Sequence, residues 1–525
     1  MYSRAVSQNV FPIRMMVCRV LKDLPRTWDS RNVSLWRKRL FQETLPLLLF
    51  TALSFLVMGY HPGFEDDGIY LSAVKSILNP ALFPQDSDFF RLQLQASVFA
   101  RWMAHFVRWT CIPLDWAELL WQLVSLYLIL WACRRIAAHV FPELCAQWAA
   151  VAMVAAMFTL PVAGTALVIA DQHLHPRNLA TALILISVSR VLEKKSWQAI
   201  PLLLLALALH PIMGILGLSF SIFLSLALLD RVPFRLRALQ KSAAGAIPLS
   251  WMLAPENPSW RLALASKPYY SVYRWAWYEW LGALAPLFLF WLLRRVAQKR
   301  GETRLARFAL AVFAYGTFQQ VIAMALLAPP ALVRLAPLQP MRYLQLVYVF
   351  MALAAGGLLG RYLLQASIWR WAAYLLIFNG VMFLSQRELI DDGAHIELPG
   401  VESANPWLQA FDWIRQNTPT RAYFALDPRY LATPGEGYHN FRALAERSQM
   451  TDGIKDTAVV AEVPSLAPVW REQQLALTGW PRFQLADFER LKANFGVDWV
   501  LVNCPQPHGL DCRWHNQSLA VCQIP

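Results

Sequence analysis

The chain has 525 residues, of which 57% are hydrophobic and 16% are charged, and its formal net charge is +14 at pH 7. Because soluble domains average about 25% charged residues, this composition excludes an ordinary soluble protein and indicates a polytopic α-helical membrane protein. The positive charge does not indicate nucleic-acid binding, since Lys and Arg fall in short clusters between apolar runs, as in the cytoplasmic loops of membrane proteins.

Residues 1–43 form a basic N-terminal arm. Arg14, Arg19 and Lys22 interrupt its apolar stretches, so the arm lacks the continuous hydrophobic region of a signal peptide. We therefore predict a cytoplasmic arm, followed by a first membrane segment that begins near residue 44.

Residues 44–385 are predicted to form a transmembrane domain of about eleven helices. Its apolar segments are 44–60, 113–132, 147–169, 178–192, 197–210, 212–229, 242–254, 276–293, 306–327, 342–360 and 369–385. Basic clusters lie in alternate loops, which predicts a cytoplasmic N-terminus and an outer location for the long loop 61–112. Segments 178–192 and 197–210 are shorter than the ~20 residues of a normal crossing, so broken or re-entrant helices remain an alternative there.

The first outer loop carries two groups of acids. Glu65, Asp66 and Asp67 directly follow the first apolar segment, and unpaired carboxylates cannot lie in hydrocarbon. They therefore lie at the water boundary, either as a solvated helix end or as a site of chemistry. Further along the loop, Asp86 and Asp88 are either plain loop acids or oxygen ligands of the kind that Mg²⁺ or Mn²⁺ favours.

Histidines and arginines occupy other predicted outer loops. His173, His175 and Arg177 lie in the second loop, His210 precedes a proline at the next outer turn, and Arg342 begins a later segment. Carboxylates and basic groups on one membrane face are the combination that a lipid-linked phosphate requires. The alternatives are headgroup anchoring for the second loop, a structural turn at His210 and a snorkelling side chain at Arg342.

Residues 388–525 have the composition of a soluble domain. Helical spacing of apolar residues predicts helices at 405–417 and 485–495, and a buried strand at 497–503 follows the second helix. This alternation predicts a small α/β domain on the outer side of the membrane.

Three cysteines fall in this C-terminal part. Cys504 and Cys512 flank a loop that contains Pro and Gly, so a disulfide between them is favoured over any pairing with Cys522. Three reduced thiols are the alternative.

The chain resembles GT-C type integral-membrane glycosyltransferases, which have a long first outer loop with an acid pair directly after the first membrane helix. The C-terminal helix that begins Asn405-Pro406-Trp407 is similar to the tails of uncharacterised bacterial members. The resemblance implies a GT-C-like helical fold in the bacterial inner membrane with a periplasmic C-terminal domain. It also implies sugar transfer from a polyprenyl-phosphate carrier to an acceptor glycan, lipid or protein.

The outer face lacks nucleotide sugars, which independently favours a lipid-linked donor. Asp66 or Asp67 is then predicted to be the general base, with Glu65 in support. We predict that basic and imidazole side chains bind the phosphate of the donor: Arg177, Arg342, His173, His175 and His210. A divalent cation, Mg²⁺ or Mn²⁺, is a further possible source of positive charge.

Other functions remain open. A non-catalytic scaffold of GT-C architecture fits the same pattern. A transporter is disfavoured because the sequence has no internal repeat and its charges gather at one membrane face. A polymerase of lipid-linked glycans is disfavoured because its large outer loop usually comes late in the chain, whereas here the long loop comes first.

Overall fold

The computed structural model describes residues 40–229, 257–390 and 393–525. From residue 50 onward these form one compact unit, so the C-terminal part packs directly against the helical part. The N-terminal arm up to residue 39 and the predicted segment 242–254 lie outside the described residues.

The helical part follows most of the predicted apolar segments. Apart from one-turn helices, its α-helices are α1 (Leu45–Met58), α2 (Asp67–Leu78), α3 (Phe99–Thr110), α4 (Leu114–Val140), α5 (Leu144–Ala156), α6 (Pro176–Leu192), α7 (Ser196–Leu209), α8 (Pro211–Leu228), α9 (Pro258–Ala265), α10 (Trp277–Lys299), α11 (Thr303–Leu327), α12 (Leu344–Leu359) and α13 (Ile368–Leu389). A short antiparallel hairpin of β1 (Pro161–Val162) and β2 (Leu167–Val168) lies between α5 and α6.

The prediction of about eleven crossings is wrong for the described residues. Six of their helices are long and apolar enough to cross a membrane: Leu114–Val140, Pro211–Leu228, Trp277–Lys299, Thr303–Leu327, Pro340–Leu364 and Ile368–Leu389. Three shorter apolar helices are Gln42–Met58, Leu144–Ala156 and Ser196–Leu209. The difference arises where an apolar run does not remain helical. Predicted segment 147–169, for example, leaves the helix after Ala156 and turns into the β1–β2 hairpin.

Ion pairs join loops that the charge pattern predicts to be cytoplasmic. Arg361, after α12, lies 2.9 Å from Glu143 before α5 and 2.6 Å from Glu302 before α11. At the other ends of the helices, the ring centroids of Phe64 and His173 are 6.2 Å apart, which brings the first two predicted outer loops together. These contacts bring together three of the predicted cytoplasmic loops and two of the predicted outer loops, while the side of the membrane on which each group lies stays a prediction.

The C-terminal part is a layered α/β structure. Its helices are α14 (Pro406–Asn417), α15 (Phe441–Ala445), α16 (Lys455–Glu462), α17 (Ala467–Ala476) and α18 (Leu485–Phe495). Its strands are β3 (Tyr423–Ala425), β4 (Ser448–Gln449), β5 (Trp499–Asn503), β6 (Asp511–His515) and β7 (Leu519–Gln523), in the order β4-β3-β5-β7-β6. The β3 strand pairs in parallel with β4 and β5, and the other pairs are antiparallel.

Local sequence explains how the two predicted C-terminal helices begin and end. The Asn405 side chain accepts a hydrogen bond from the Trp407 N–H at 2.8 Å, and Pro406 occupies the first helical position of α14. Helix α18 ends at Gly496, whose φ of 74° is readily adopted by glycine. Apolar residues of α14 and α18 pack in two separate clusters against the sheet.

The favoured disulfide was wrong. Cys512 pairs with Cys522, and Cys504 is a free thiol. The register of β6 against β7 places Cys512 directly opposite Cys522 on neighbouring strands. Spacing along the chain does not contain this information, because the pairing depends on the strand register.

Candidate functional site

The acid cluster lies in a tight turn between α1 and α2. The Glu65 N–H donates to the carbonyl of Tyr438 at 3.0 Å, and the N–H of Asn440 donates to the carbonyl of Gly63 at 2.9 Å. Glu65 has a left-handed φ of 53°. Gly68 is required because a Cβ there would lie 2.2 Å from the Asn440 side chain. The C-terminal domain therefore fixes the backbone that presents the acids.

The three acids have different surroundings. Asp67 is buried, with 2% of its surface exposed, and accepts a hydrogen bond from the Gly63 N–H at 2.6 Å. Burial raises the pKa of the Asp67 carboxyl, which interacts with the neighbouring carboxyl of Glu118 on α4. Asp67 thus closes the turn from inside and is poorly placed to meet a substrate.

Glu65 and Asp66 share a cation from the C-terminal domain. The Lys455 ammonium, at the start of α16, forms ion pairs with both carboxylates, and its distance to Asp66 Oδ1 is 3.0 Å. The Asp66 side chain keeps 38% of its surface exposed, so its carboxylate remains accessible from outside the protein.

Asp66 is held in its ionised form. Burial alone would raise the pKa of its carboxyl. The charge of Lys455 instead lowers that pKa well below its usual range, and Arg177 and Arg342 add to this effect. The second predicted loop and the start of a later membrane segment therefore both bring positive charge to Asp66.

Arg177 is fixed by its own loop but keeps donors free. Its guanidinium lies 2.5 Å from Asp171, and its backbone N–H donates to the His175 ring at 2.9 Å, which caps α6. Arg177 is only 2% exposed, yet Nε and Nη1 have no hydrogen-bond partner among the described residues. The buried Nε of Arg342 also has none there. Buried, unpaired guanidinium N–H groups are suited to bind an anion.

The histidines line the same region. The His175 ring lies 6.0 Å from the His210 ring and 4.8 Å from the Tyr70 ring, between centroids, and His173 is 5.9 Å from His175. Burial lowers the pKa of His175 and of His210, and the charges of Arg177 and Arg342 lower both further. Both rings are therefore neutral at physiological pH. The two rings can form hydrogen bonds and help to define the shape of the site, but they contribute no charge.

The structure brings together most of the predicted site residues. Asp66, Arg177 and Arg342 interact electrostatically, and His175 and His210 lie within the same network. Whether this network binds and transforms a substrate stays a prediction.

Asp86 and Asp88 lie in contrasting surroundings. Asp86 is buried, forms an ion pair with Arg442 and accepts a hydrogen bond from the Gln449 N–H at 3.0 Å. Arg442 also binds Asp456 through two hydrogen bonds of 2.7 and 2.8 Å. Asp88 is exposed at the start of a one-turn helix. Metal binding by this pair stays a prediction, and the contacts of Asp86 disfavour it because they fasten the first outer loop to the C-terminal domain.

Sequence reasoning missed Lys455 and Tyr438, both from the C-terminal domain. Lys455 is separated from Asp66 by 389 positions, and no periodicity or motif links the two. Tyr438 contributes only its backbone carbonyl, for which a sequence has no signal.

A cavity of the helical part lies away from these groups. It has a volume of about 470 Å³, lies between α10, α11 and α12, and is lined mostly by apolar side chains near Arg300 and Glu302. These two residues belong to the helix ends opposite the acid cluster, so the cavity is not part of the candidate site.

Helices long and apolar enough for a bilayer, together with a small C-terminal sheet, define a helical membrane protein with an α/β region. No known protein family matches the sequence, and no curated protein matches it either. The polar cluster around Asp66 is therefore the basis on which a function can be assigned.

Proposed function

We propose that this protein is a membrane glycosyltransferase that moves a sugar from a polyprenyl-phosphate-linked donor to an acceptor at the outer face of a bacterial inner membrane. The observation that carries the proposal is a partly exposed carboxylate, Asp66, that interacts electrostatically with Arg177, a buried arginine with two donor nitrogens that have no partner among the described residues. An acid for the acceptor and a cation for the phosphate are the two groups that such a transfer needs.

The phosphate is bound by Arg177 and Arg342. A buried donor without a partner costs about 1–3 kcal/mol, and an anionic ligand offsets that cost for Nε and Nη1 of Arg177 and Nε of Arg342. Arginine suits this role because its planar donors match phosphate oxygens. Mg²⁺ or Mn²⁺ remains a proposed further source of positive charge at the departing phosphate.

Asp66 is the general base. It accepts the proton of the acceptor hydroxyl as the acceptor oxygen bonds to the anomeric carbon and the bond from that carbon to the phosphate oxygen breaks. The polyprenyl phosphate leaves with the electron pair and stays bound to the arginines.

Substrate binding activates this base. Without substrate, Lys455, Arg177 and Arg342 keep the pKa of Asp66 far below neutrality, which makes a weak base. A phosphate bound to the two arginines offsets their charge, so the pKa of Asp66 rises once the donor is in place. Glu65 restrains Lys455, and buried Asp67 maintains the turn, which favours Asp66 over Asp67 as the base.

The proposal is tested by Asp66→Asn in cells that lack the wild-type gene. Asn keeps the size of the side chain but cannot take up the proton, so we expect surface glycans to be lost as in the deletion strain and the lipid-linked donor to accumulate. Asp412→Asn, at an exposed position on α14 away from the site, is the matched control and should behave as wild type.

A normal glycan profile in Asp66→Asn cells, when the deletion changes that profile, would contradict catalysis by Asp66. It would favour the alternative of a non-catalytic scaffold of GT-C architecture. Insertion of each variant into the membrane is checked by its abundance in membrane fractions.

A further inference from the structure

A second polar cluster lies just before the acid turn, where three chain segments meet. His61 follows α1, Glu397 follows α13, and His439 precedes α15. Glu397 Oε1 lies 3.3 Å from His61 Nδ1, and Glu397 Oε2 lies 3.0 Å from His439 Nε2. One ligand atom from each residue lies within 4.8 Å of the others.

His61 lacks the hydrogen bonds that a buried imidazole needs. Its exposed fraction is 0%, and neither ring nitrogen has a hydrogen-bond partner among the described residues. Its contact with Glu397 lies within ion-pair distance but does not have hydrogen-bond geometry. Because leaving a buried polar group unpaired is costly, the lone pair of His61 points to a ligand.

His439 is oriented as a metal-binding histidine is. Its Nδ1 lies 3.0 Å from the backbone carbonyl of Glu436, which accepts hydrogen bonds only, so Nδ1 carries the proton. Nε2 then presents its lone pair to the space beside Glu397. A ligating imidazole usually donates its other N–H to a carbonyl or carboxylate in this way.

We propose that His61, Glu397 and His439 bind a divalent transition-metal ion, with Zn²⁺ the best match. Two imidazoles and one carboxylate are a known zinc ligand set, and imidazole nitrogen disfavours Mg²⁺ and Ca²⁺. The Glu397 carboxylate also supplies a negative charge that offsets part of the charge of the ion.

The ion has a structural role, because its ligands lie on segments that already pair. Tyr60 N–H donates to the carbonyl of His395 at 3.1 Å, and Glu397 N–H donates to the carbonyl of Tyr60 at 2.9 Å. Phe64 and His439 form an isolated antiparallel bridge. The metal therefore ties the C-terminal domain to the segment that leads into Glu65 and Asp66. This inference does not depend on the proposed sugar transfer.

The first test measures bound metal by inductively coupled plasma mass spectrometry, on full-length protein purified through a tag without histidines. We expect about one Zn²⁺ per chain in the wild type and at least a roughly tenfold loss in His61→Ala and His439→Gln. His508→Ala removes an exposed histidine outside the cluster and should keep the wild-type content. Substoichiometric metal in the wild type, or equal metal in all variants, would contradict the proposal.

A second test uses only the wild-type chain, so it does not depend on whether a variant folds. The protein is stripped with a chelator, and Zn²⁺, Co²⁺ or Mg²⁺ is added. We expect Zn²⁺ to raise the melting temperature saturably, Co²⁺ to give the absorption bands of nitrogen and oxygen coordination, and Mg²⁺ to have no effect. If Zn²⁺ and Co²⁺ have no effect either, the cluster is a metal-free ion pair between protonated His439 and Glu397.

Discussion

At the scale of single residues, neighbouring carboxylates differ because different parts of the chain surround them. The positive charge of Lys455 stabilises the ionised form of Asp66, whereas Asp67 is buried beside Glu118 and closes the turn. The sequence predicted that these acids lie at the water boundary, but it did not indicate which of them acts as the general base. That choice depends on Lys455, which comes from the distant C-terminal domain.

Lys455→Gln should shift the pH profile of sugar transfer. Removing this cation removes the main cause of the low pKa of Asp66, so that pKa rises and the acidic limb of the profile moves to higher pH. The profile is measured with purified protein and a lipid-linked donor. Lys195→Gln, which removes a mostly exposed lysine that pairs with Glu193, is the control. An unchanged acidic limb would show that Asp66 does not govern the rate.

Asp452→Asn should change how stability depends on pH. Burial and the nearby Asp456 carboxylate raise the pKa of Asp452 in the folded state. The folded chain therefore binds a proton more tightly than the unfolded chain, and stability is lost as pH rises above about 4. Asn still accepts the 2.7 Å hydrogen bond from the Ile454 N–H.

Between acidic and neutral pH, the melting temperature of Asp452→Asn should therefore fall less than that of the wild type. Melting curves of both proteins across this range measure the difference. Parallel pH dependence in the two proteins would contradict the burial of a titrating Asp452.

At the scale of secondary-structure elements, local patterns predicted the helices better than their ends. Apolar runs located α4, α10 and α11, because helix formation there follows from local composition. The apolar run 147–169 did not indicate the hairpin after α5, because the residues of the helix and those of the hairpin are equally apolar. The pairing of Cys512 with Cys522 depended on the register of two strands, which the spacing of cysteines does not encode.

Gly68→Ala should destabilise the packing of α2 against the C-terminal domain. The added Cβ would lie 2.2 Å from the Asn440 side chain, so one of the two segments must shift. We expect a loss of about 1–3 kcal/mol, measured as a lower melting temperature. Gly380→Ala on α13 is the matched control, because a Cβ there meets nothing within 4 Å. Equal melting temperatures of the two variants would contradict the close contact at Gly68.

At the scale of the whole molecule, the C-terminal domain and the helical part form the candidate site together. Lys75 on α2 lies 2.7 Å from Glu446, and the Trp260 indole donates to the carbonyl of Ala461 at 2.9 Å. The buried Arg442 joins Asp86 to Asp456. The sequence predicted a separate soluble domain but not this packing, because contacts between distant segments have no local signal.

Binding of a polyprenyl phosphate by the purified full-length protein, measured by native mass spectrometry, tests most directly whether Arg177 holds a lipid phosphate. We expect saturable binding by the wild type and a loss of at least about tenfold, or about 1.4 kcal/mol, in Arg177→Gln. Arg177→Lys should be intermediate, since it keeps the charge but not the planar donors. Arg490→Gln, at a position 70% exposed, should bind as the wild type does. Equal binding by all four proteins, or no saturable binding by the wild type, would contradict the proposed lipid-phosphate site.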